Sequence, residues 1–281
     1  MAETLRCYRH PDRETGVSCS ECGRGICPDC MTFGPVGIRC PDHSGKAQGT
    51  RRVVQNVQRR TGGSPGIVTK ALIGVNVGIY LLQLAGGSSI NANSGWIFEH
   101  GALYGPLVAN GEWERLITAA FLHYGPIHLG MNMLALWWIG QPLENALGPV
   151  RYVLLYVVAG LAGSAGALIA NPTGVTVGAS GAIFGILGAA IVLERQRTYV
   201  LGGSAITLLV VNLAFTFAVP GISIGGHLGG LAGGALAILA LSRFGTRSAV
   251  YGRNDLVSIA SIVAIGVVSV GVAYLKVRGY A

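Results

Sequence analysis

The sequence predicts an all-α polytopic membrane protein with a small cysteine-rich domain at its N-terminus. Three observations predict this fold class. Hydrophobic residues make up 51% of the chain and charged residues only 11%, whereas a typical soluble domain has about 25% charged residues. Seven long apolar runs follow one another after residue 66, and all six cysteines lie before residue 45.

The cysteine-rich domain, residues 1–45, has the ligands of a metal-binding module. Its Cys and His side chains form four pairs, each with two residues between its members. The pairs are Cys7 with His10, Cys19 with Cys22, Cys27 with Cys30, and Cys40 with His43. Eight ligands are enough for two tetrahedral zinc ions. Three disulfides are the alternative, but they would leave the two matching histidines unexplained. We therefore expect two structural zinc ions.

The spacing leaves open which pairs share an ion. Cross-brace pairing, first with third and second with fourth, gives two sites of three thiolates and one imidazole. Sequential pairing gives the same stoichiometry, whereas pairing first with fourth gives one site with two imidazoles and one made wholly of thiolates. The spacing resembles that of B-box-type zinc fingers. Metal should supply most of the folding free energy of so short a module, and its expected partner is a cytosolic protein.

Residues 46–66 are predicted to be a polar, basic linker that contains Gly and Ser. Its arginines are Arg51, Arg52, Arg59 and Arg60, just before the first apolar run. Such a cluster is typical of a cytoplasmic flank, which also places the cysteines where disulfides are rare. Nucleic-acid binding is the alternative explanation of a basic cluster; we expect none, because membrane topology already accounts for the charges. Because the first 50 residues are polar and rich in Cys, we do not expect them to be a signal peptide.

The remainder of the chain is predicted to cross the membrane repeatedly. A helix needs about 20 apolar residues to span about 30 Å of hydrocarbon, and runs this apolar are typical of helices, not of barrel strands. The predicted spans are 67–85, 127–146, 149–170, 178–195, 201–219, 224–242 and 255–275. Six of them form a core at 67–245, and the seventh lies with the tail in 246–281.

The topology follows from the charges of the turns. With a cytoplasmic N-terminus, the turns at Arg151 and at 194–197 lie inside, and the turns at 171–177 and 219–222, which have no basic residue, lie outside. The tail, which contains Lys276, also lies outside, against the positive-inside rule. The long connection at 86–126 is rich in Gly, Asn and aromatic residues, and a loop of this length is usually functional or disordered.

Four polar residues stand out within the apolar spans: His128, Asn132, Ser180 and His227. Because the even-numbered spans all begin on the outer side, these residues are expected at similar depth. Polar groups are costly in a membrane and tend to be functional. A serine needs a base within about 2.6–3.2 Å to act as nucleophile, and it needs donors for the oxyanion. Packing and interhelical hydrogen bonds are the alternatives.

Glycines at intervals of four residues explain how these groups could meet. They are Gly181, Gly185, Gly226, Gly230 and Gly234. Small residues at this spacing let helix backbones approach closely.

The motifs resemble those of the rhomboid family, in the same order along the chain. They are GEWERLIT at 111–118, FLH at 121–123, HLGMN at 128–132, GASG at 178–181 and GGHLGG at 225–230. Together they span about 100–235. Glu114 stands where the family often has Trp, at a peripheral position.

The resemblance implies a six-helix rhomboid core plus one C-terminal transmembrane helix, beside the small zinc-bound domain. It implies a dyad of Ser180 and His227 without an acidic third member, and an oxyanion site of His128, Asn132 and the Ser180 amide. It also implies that Arg115 helps to fix the first loop and that Glu144 ties helices together.

The expected protein is therefore a multi-pass serine endopeptidase of the cell membrane. It would cleave transmembrane protein substrates near the outer face of the bilayer, without a cofactor for the chemistry. The alternative is a catalytically silent rhomboid-like protein that binds membrane helices, but such relatives typically lack the Ser or the His. A transporter is disfavoured because the sequence has no inverted repeat.

Overall fold

The computed structural model describes residues 5–33, 37–44, 66–87, 90, 94–219, 221–242 and 256–280. The chain divides into two compact units, one within residues 1–60 and one within 61–281. Apart from Gly66, the linker predicted at 46–66 lies outside the described residues, as does its basic cluster.

The N-terminal unit contains two short antiparallel hairpins. Strand β1 (Leu5–Arg6) pairs with β2 (Glu14–Thr15), and β3 (Thr32–Phe33) pairs with β4 (Ile38–Arg39). The buried centre consists mainly of cysteines, and Ile26 is the one large side chain among the described residues of this unit that is fully buried. This small amount of buried apolar surface is not enough by itself to stabilise the folded unit. The unit therefore needs a further source of stability.

The second unit is helical. Its helices are α1 (Ile67–Ala85), α2 (Trp96–Gly101), α3 (Gly105–Ala109), α4 (Arg115–Thr118), α5 (Pro126–Ala135), α6 (Gln141–Leu147), α7 (Pro149–Ala170), α8 (Ser180–Arg195), α9 (Ala205–Ala218), α10 (Ile224–Leu241) and α11 (Leu256–Val277). A π-helical turn, Leu136–Gly140, joins α5 to α6. The predicted fold class is confirmed, and each predicted span falls on a helix or, at α5–α6, on two helices in line.

Four of the described helical segments are long and apolar enough to cross a membrane by length and composition: α1, α7, α10 and Leu256–Tyr280. Helices α8 and α9 have 16 and 14 residues, fewer than the apolar runs that predicted them. Helix α9 starts at Ala205, because Gly202 and Gly203 adopt left-handed backbone angles and end the preceding chain in a turn.

Helix α10 forms the centre of the unit and packs most extensively against α7 and α8. A Cβ atom added to Gly230 would overlap the carbonyl oxygen of Gly181, and one added to Gly234 would overlap that of Gly185. The two backbones therefore touch along parallel helices. Both helices begin at the same end of the unit, so their first turns lie side by side.

Helix α11 covers α7 and the connection that precedes α5. Ala273 and Val277 are fully buried in a cluster with residues of that connection. The ring of Tyr274 contacts that of Trp113, with 5.6 Å between the ring centroids. The seventh span is thus an integral part of the packing of the helical unit.

Candidate active site

Ser180 and His227, which are 47 residues apart in the sequence, form a hydrogen-bonded pair. Ser180 is the first residue of α8, and His227 lies in the first turn of α10. The Oγ atom of Ser180 is 2.8 Å from Nε2 of His227, within the distance over which a base can take a hydroxyl proton. The close approach of Gly181 to the backbone of α10 provides the room for this contact.

Two further side chains hold the imidazole of His227, which is buried. The ring of Phe184, one turn after Ser180 on α8, stacks on it with 4.0 Å between centroids and 15° between planes. On the other ring nitrogen, Nδ1 is 2.7 Å from Oγ1 of Thr216, near the end of α9. Neither Phe184 nor Thr216 was predicted from the sequence. For Phe184 the spacing of four from Ser180 was an available signal, whereas nothing local pointed to Thr216.

His128 lies beside the pair, on α5. Its Nδ1 atom accepts a hydrogen bond from the backbone N–H of Tyr124, at 3.4 Å, so a neutral ring carries its proton on Nε2. A Cβ atom added to Gly178 would be 2.8 Å from that Nε2 atom and 3.8 Å from Oγ of Ser180. The donor edge of His128 and the Ser180 hydroxyl therefore border the same space.

Asn132 lies one turn after His128 on the same face of α5 and is buried. Its Nδ2 group donates to the carbonyl of His128 at 2.9 Å. An amide nitrogen has two protons, so this hydrogen bond leaves the second one unused.

The connection before α5 is fastened by Arg115, which is 2% exposed. Its Nη1 group donates to the carbonyls of Glu99 and Ala102 at 2.8 and 2.7 Å, and its Nε donates to the Glu112 carboxylate at 2.8 Å. The connection also pairs with the chain before Ser180, because the N–H of Gly178 donates to the carbonyl of Ala119 at 2.9 Å.

Two buried side chains join α1 to the rest of the unit. The carboxylate of Glu144 accepts the backbone N–H groups of Val68 and Thr69, at 2.9 and 2.8 Å, and the Thr69 hydroxyl at 2.8 Å. Gln83 bonds both the N–H and the carbonyl of His123, at 3.2 and 3.5 Å. The ring of His123 packs edge-on against His128, with 5.1 Å between centroids.

In the N-terminal unit the eight predicted ligands form two clusters, in cross-brace pairing. One consists of Cys7, His10, Cys27 and Cys30, and the other of Cys19, Cys22, Cys40 and His43, with the ligand atoms of each cluster within 4.8 Å of one another. This arrangement selects one of the pairings that the spacing left open. Each cluster has three thiols and one imidazole.

The distances within the clusters fit a tetrahedral zinc ion. Zinc ligands at their usual bond lengths are about 3.5–3.8 Å apart. Nδ1 of His10 is 3.4 Å from Sγ of both Cys27 and Cys30, and Sγ of Cys22 is 3.9 Å from Sγ of Cys40. Desolvation raises the pKa of the Cys7 thiol, but backbone hydrogen bonds to its sulfur outweigh this and lower the pKa to about 6. In the same cluster, desolvation and the neighbouring thiols Cys27 and Cys7 raise the pKa of Cys30 to about 11.

Comparison with known proteins identifies the helical unit. The Rhomboid domain family matches residues 110–244. The chain is 38% identical over 192 residues to the rhomboid protease GluP of Bacillus subtilis (strain 168), an alignment that covers 67% of this chain and 36% of GluP. It is 39% identical over 134 residues to the putative rhomboid protease YdcA of the same organism. That alignment covers 46% of this chain and 67% of YdcA.

A plant protein is also similar to this chain. The chain is 40% identical over 154 residues to RHOMBOID-like protein 5 of Arabidopsis thaliana, which covers 51% of this chain and 49% of that protein. The chain therefore spans only part of the length of GluP and of the plant protein. The two Cys/His clusters lie outside the residues that the family matches.

Proposed function

The chain belongs to the rhomboid family, and on that premise we propose that it is a serine endopeptidase that cleaves transmembrane protein substrates within the membrane, near its outer face. The observation that supports this proposal most directly is the distance of 2.8 Å between the Ser180 hydroxyl and Nε2 of His227. In a silent relative nothing would require these two groups to remain in contact.

The reaction we propose is acyl transfer. His227 takes the hydroxyl proton through Nε2 while Oγ of Ser180 attacks the carbonyl carbon of the substrate. The same proton then passes from His227 to the leaving amine as the peptide bond breaks. Water, activated by His227 in turn, hydrolyses the acyl-enzyme and restores the hydroxyl of Ser180.

Three donors would stabilise the oxyanion that forms in each step. The Nε2–H group of His128 borders the site. We assign the second donor to the Asn132 amide, which keeps one proton beyond its bond to the His128 carbonyl. The third donor is the backbone N–H of Ser180, which as the first residue of a helix has no acceptor within that helix. The positive end of the α8 dipole also favours a negative charge here.

We infer the substrate class from the position of the dyad at the N-terminal ends of α8 and α10. A peptide bond within a helix has its carbonyl engaged in a hydrogen bond, so the substrate must unwind before attack. We expect transmembrane segments with small or helix-breaking residues near their outer end. The basic Arg195 lies at the opposite end of α8 from Ser180, which supports an outer position for the dyad and a cytoplasmic N-terminus.

We further propose that the two Cys/His clusters hold one structural zinc ion each. Each cluster offers four ligands, which fill a tetrahedral site and leave no position for catalysis. With its cytoplasmic location, the module is suited to binding a cytosolic protein. No nucleic acid is expected as a partner.

The test of the protease proposal is labelling by a fluorophosphonate, together with cleavage of a reporter transmembrane substrate in liposomes. We expect the full chain to be labelled and to cleave, and Ser180→Ala and His227→Ala to do neither. Ser261→Ala is the matched control, because the Ser261 hydroxyl donates to the Val257 carbonyl of its own helix, α11, away from the dyad.

The outcomes separate the two candidate functions. Cleavage that persists in Ser180→Ala would reject Ser180 as the nucleophile. A wild-type chain that binds the substrate helix but is neither labelled nor able to cleave it would instead indicate the silent rhomboid-like binding protein.

A further inference from the structure

The imidazole of His227 has a hydroxyl partner on the side away from Ser180. Thr216 is 3% exposed, and its Oγ1 atom lies 2.7 Å from Nδ1 of His227. Among the described residues of α9 it is the one buried polar side chain, whereas its neighbours Phe215 and Phe217 are 54% and 65% exposed. Helix α9 thus directs the Thr216 hydroxyl at the imidazole, whereas the rings of the adjacent Phe215 and Phe217 are largely exposed.

The direction of this hydrogen bond follows from a second contact. Oγ1 of Thr216 is also 2.8 Å from the carbonyl oxygen of Asn212, one turn earlier on α9. A carbonyl can only accept, so the single proton of the hydroxyl goes to Asn212. The hydroxyl oxygen must then accept from His227, and Nδ1 of a neutral imidazole therefore carries the ring proton.

The tautomer of His227 has a direct consequence for the dyad. With the proton on Nδ1, the lone pair of Nε2 is free, and this atom faces Oγ of Ser180 at 2.8 Å. In the other tautomer Nε2 would present a proton to Ser180 and could not take one. A dyad in that state has no base.

We propose that Thr216 is a positioning residue that holds neutral His227 in the tautomer able to accept the Ser180 proton. This inference rests on the proposed function. The side chain fills the position that a carboxylate occupies in a Ser–His–Asp triad, with a neutral acceptor instead of a charged one.

The protons balance through the reaction. The Ser180 proton moves to Nε2 of His227 and then to the leaving amine, while Thr216 keeps its own proton bonded to Asn212. When His227 is an imidazolium, its Nδ1–H still donates to Oγ1 of Thr216. The hydroxyl therefore serves both states of the base without a proton transfer of its own.

Phe184 cannot perform this task. Its stacked ring fixes the plane of the imidazole, but a flat apolar face does not distinguish a nitrogen from a carbon at the ring edge. A half-turn of the His227 ring about its Cβ–Cγ bond would leave it equally well stacked. Among the contacts of the described residues, the one with Thr216 at Nδ1 selects the nitrogen that bears the proton.

The experiment compares Thr216→Val, which keeps the shape and removes the hydroxyl, with Thr216→Ser, which keeps the hydroxyl. The readouts are kcat and KM for the reporter substrate and the rate of fluorophosphonate labelling, in full-length protein. We expect Thr216→Val to lower kcat and the labelling rate by about 10- to 100-fold, part of the contribution of a general base, with little change in KM. Thr216→Ser should stay within about 3-fold of the wild type.

The matched control is Thr207→Val, the same substitution at an exposed threonine of α9. We expect it to keep wild-type kcat. If Thr216→Val proves to be unfolded in a thermal melt, Thr216→Ala takes its place in the comparison with Thr216→Ser.

Two results would overturn the inference while leaving the protease proposal intact: wild-type kcat and labelling in the hydroxyl-free variant, or equal losses in Thr216→Ser and Thr216→Val. A wild-type chain that is neither labelled nor active would overturn the protease proposal, and the role of Thr216 with it.

Discussion

Gly230 of α10 lies directly against the backbone carbonyl of Gly181 of α8, so closely that a Cβ atom on Gly230 would overlap the oxygen. This contact is one residue beyond Ser180 on one helix and three beyond His227 on the other. The separation of the two helices at this level is therefore set by backbone atoms, which cannot move aside as a side chain can. The hydrogen bond between Ser180 and His227 depends on that separation.

The first prediction concerns this contact. Gly230→Ala should push α10 away from α8 and break the Ser180–His227 hydrogen bond, because the added methyl group has no room. We expect fluorophosphonate labelling to fall by at least about 10-fold and the protein to lose about 1–3 kcal/mol of stability. The control is Gly271→Ala on α11, where nothing lies within 4 Å of the added atom. Wild-type labelling in Gly230→Ala would contradict the argument.

The second prediction tests the space between His128 and Ser180. Gly178 has a φ of +123°, and an added Cβ atom would meet the imidazole of His128 at 2.8 Å. Gly178→Ala should therefore block the oxyanion position and lower kcat by about 100-fold or more. Gly202→Ala is a control for backbone strain alone, because its φ is +65° and nothing lies within 4 Å of the added atom. Equal activity losses in the two variants would argue against a specific role for the space beside His128.

The third prediction concerns Glu144, which accepts three hydrogen bonds from the start of α1. Glu144→Gln leaves a single carbonyl oxygen and adds a buried donor, so we expect a loss of about 1–3 kcal/mol, measured as thermal or denaturant unfolding in detergent. Glu194→Gln is a matched control, because Glu194 also accepts backbone N–H groups, from Gly203 and Ala205, but partly in solvent. A smaller loss for Glu144→Gln than for Glu194→Gln would contradict a structural role for Glu144.

The fourth prediction distinguishes cross-brace from sequential pairing in the zinc module. Cys7 and Cys27 lie in one cluster, whereas Cys19 lies in the other. Purified Cys7→Ser/Cys27→Ser protein should therefore retain about one zinc ion per chain, and Cys7→Ser/Cys19→Ser should retain about none, against about two in the wild type. Elemental analysis of the full chain provides the measurement. Sequential pairing would reverse the two results, and a wild-type chain without zinc would reject the assignment altogether.

Much of the architecture could be predicted from local properties of the sequence. Whether a segment such as 149–170 is a membrane helix depends on its own length and apolar content, and the helix observed there, Pro149–Ala170, has the predicted bounds. The ends of helices were harder to predict from the sequence. Helix α9 begins four residues after the start of its apolar run, because two glycines in that run, Gly202 and Gly203, have left-handed backbone angles.

The residues of the candidate site differ in how far the sequence could identify them. Ser180 and His227 stood out because a polar group is costly in an apolar span. Thr216 did not, because a threonine in a membrane helix usually bonds its own backbone, and this one does so as well. What distinguishes it is its contact with an imidazole 11 residues further along the chain, which sequence spacing does not reveal.

By itself, the sequence determined the class of the protein, the order of its helices, the polar residues within them and the eight Cys and His ligands. These are local properties, carried by composition and by spacings of a few residues. Only the tertiary structure decided which ligands share a cluster. It also decided that Ser180 and His227, 47 residues apart, are in contact, and that Thr216 contacts the other ring nitrogen of His227. Those relationships depend on how separate segments pack against one another, and several packings are compatible with the same local pattern.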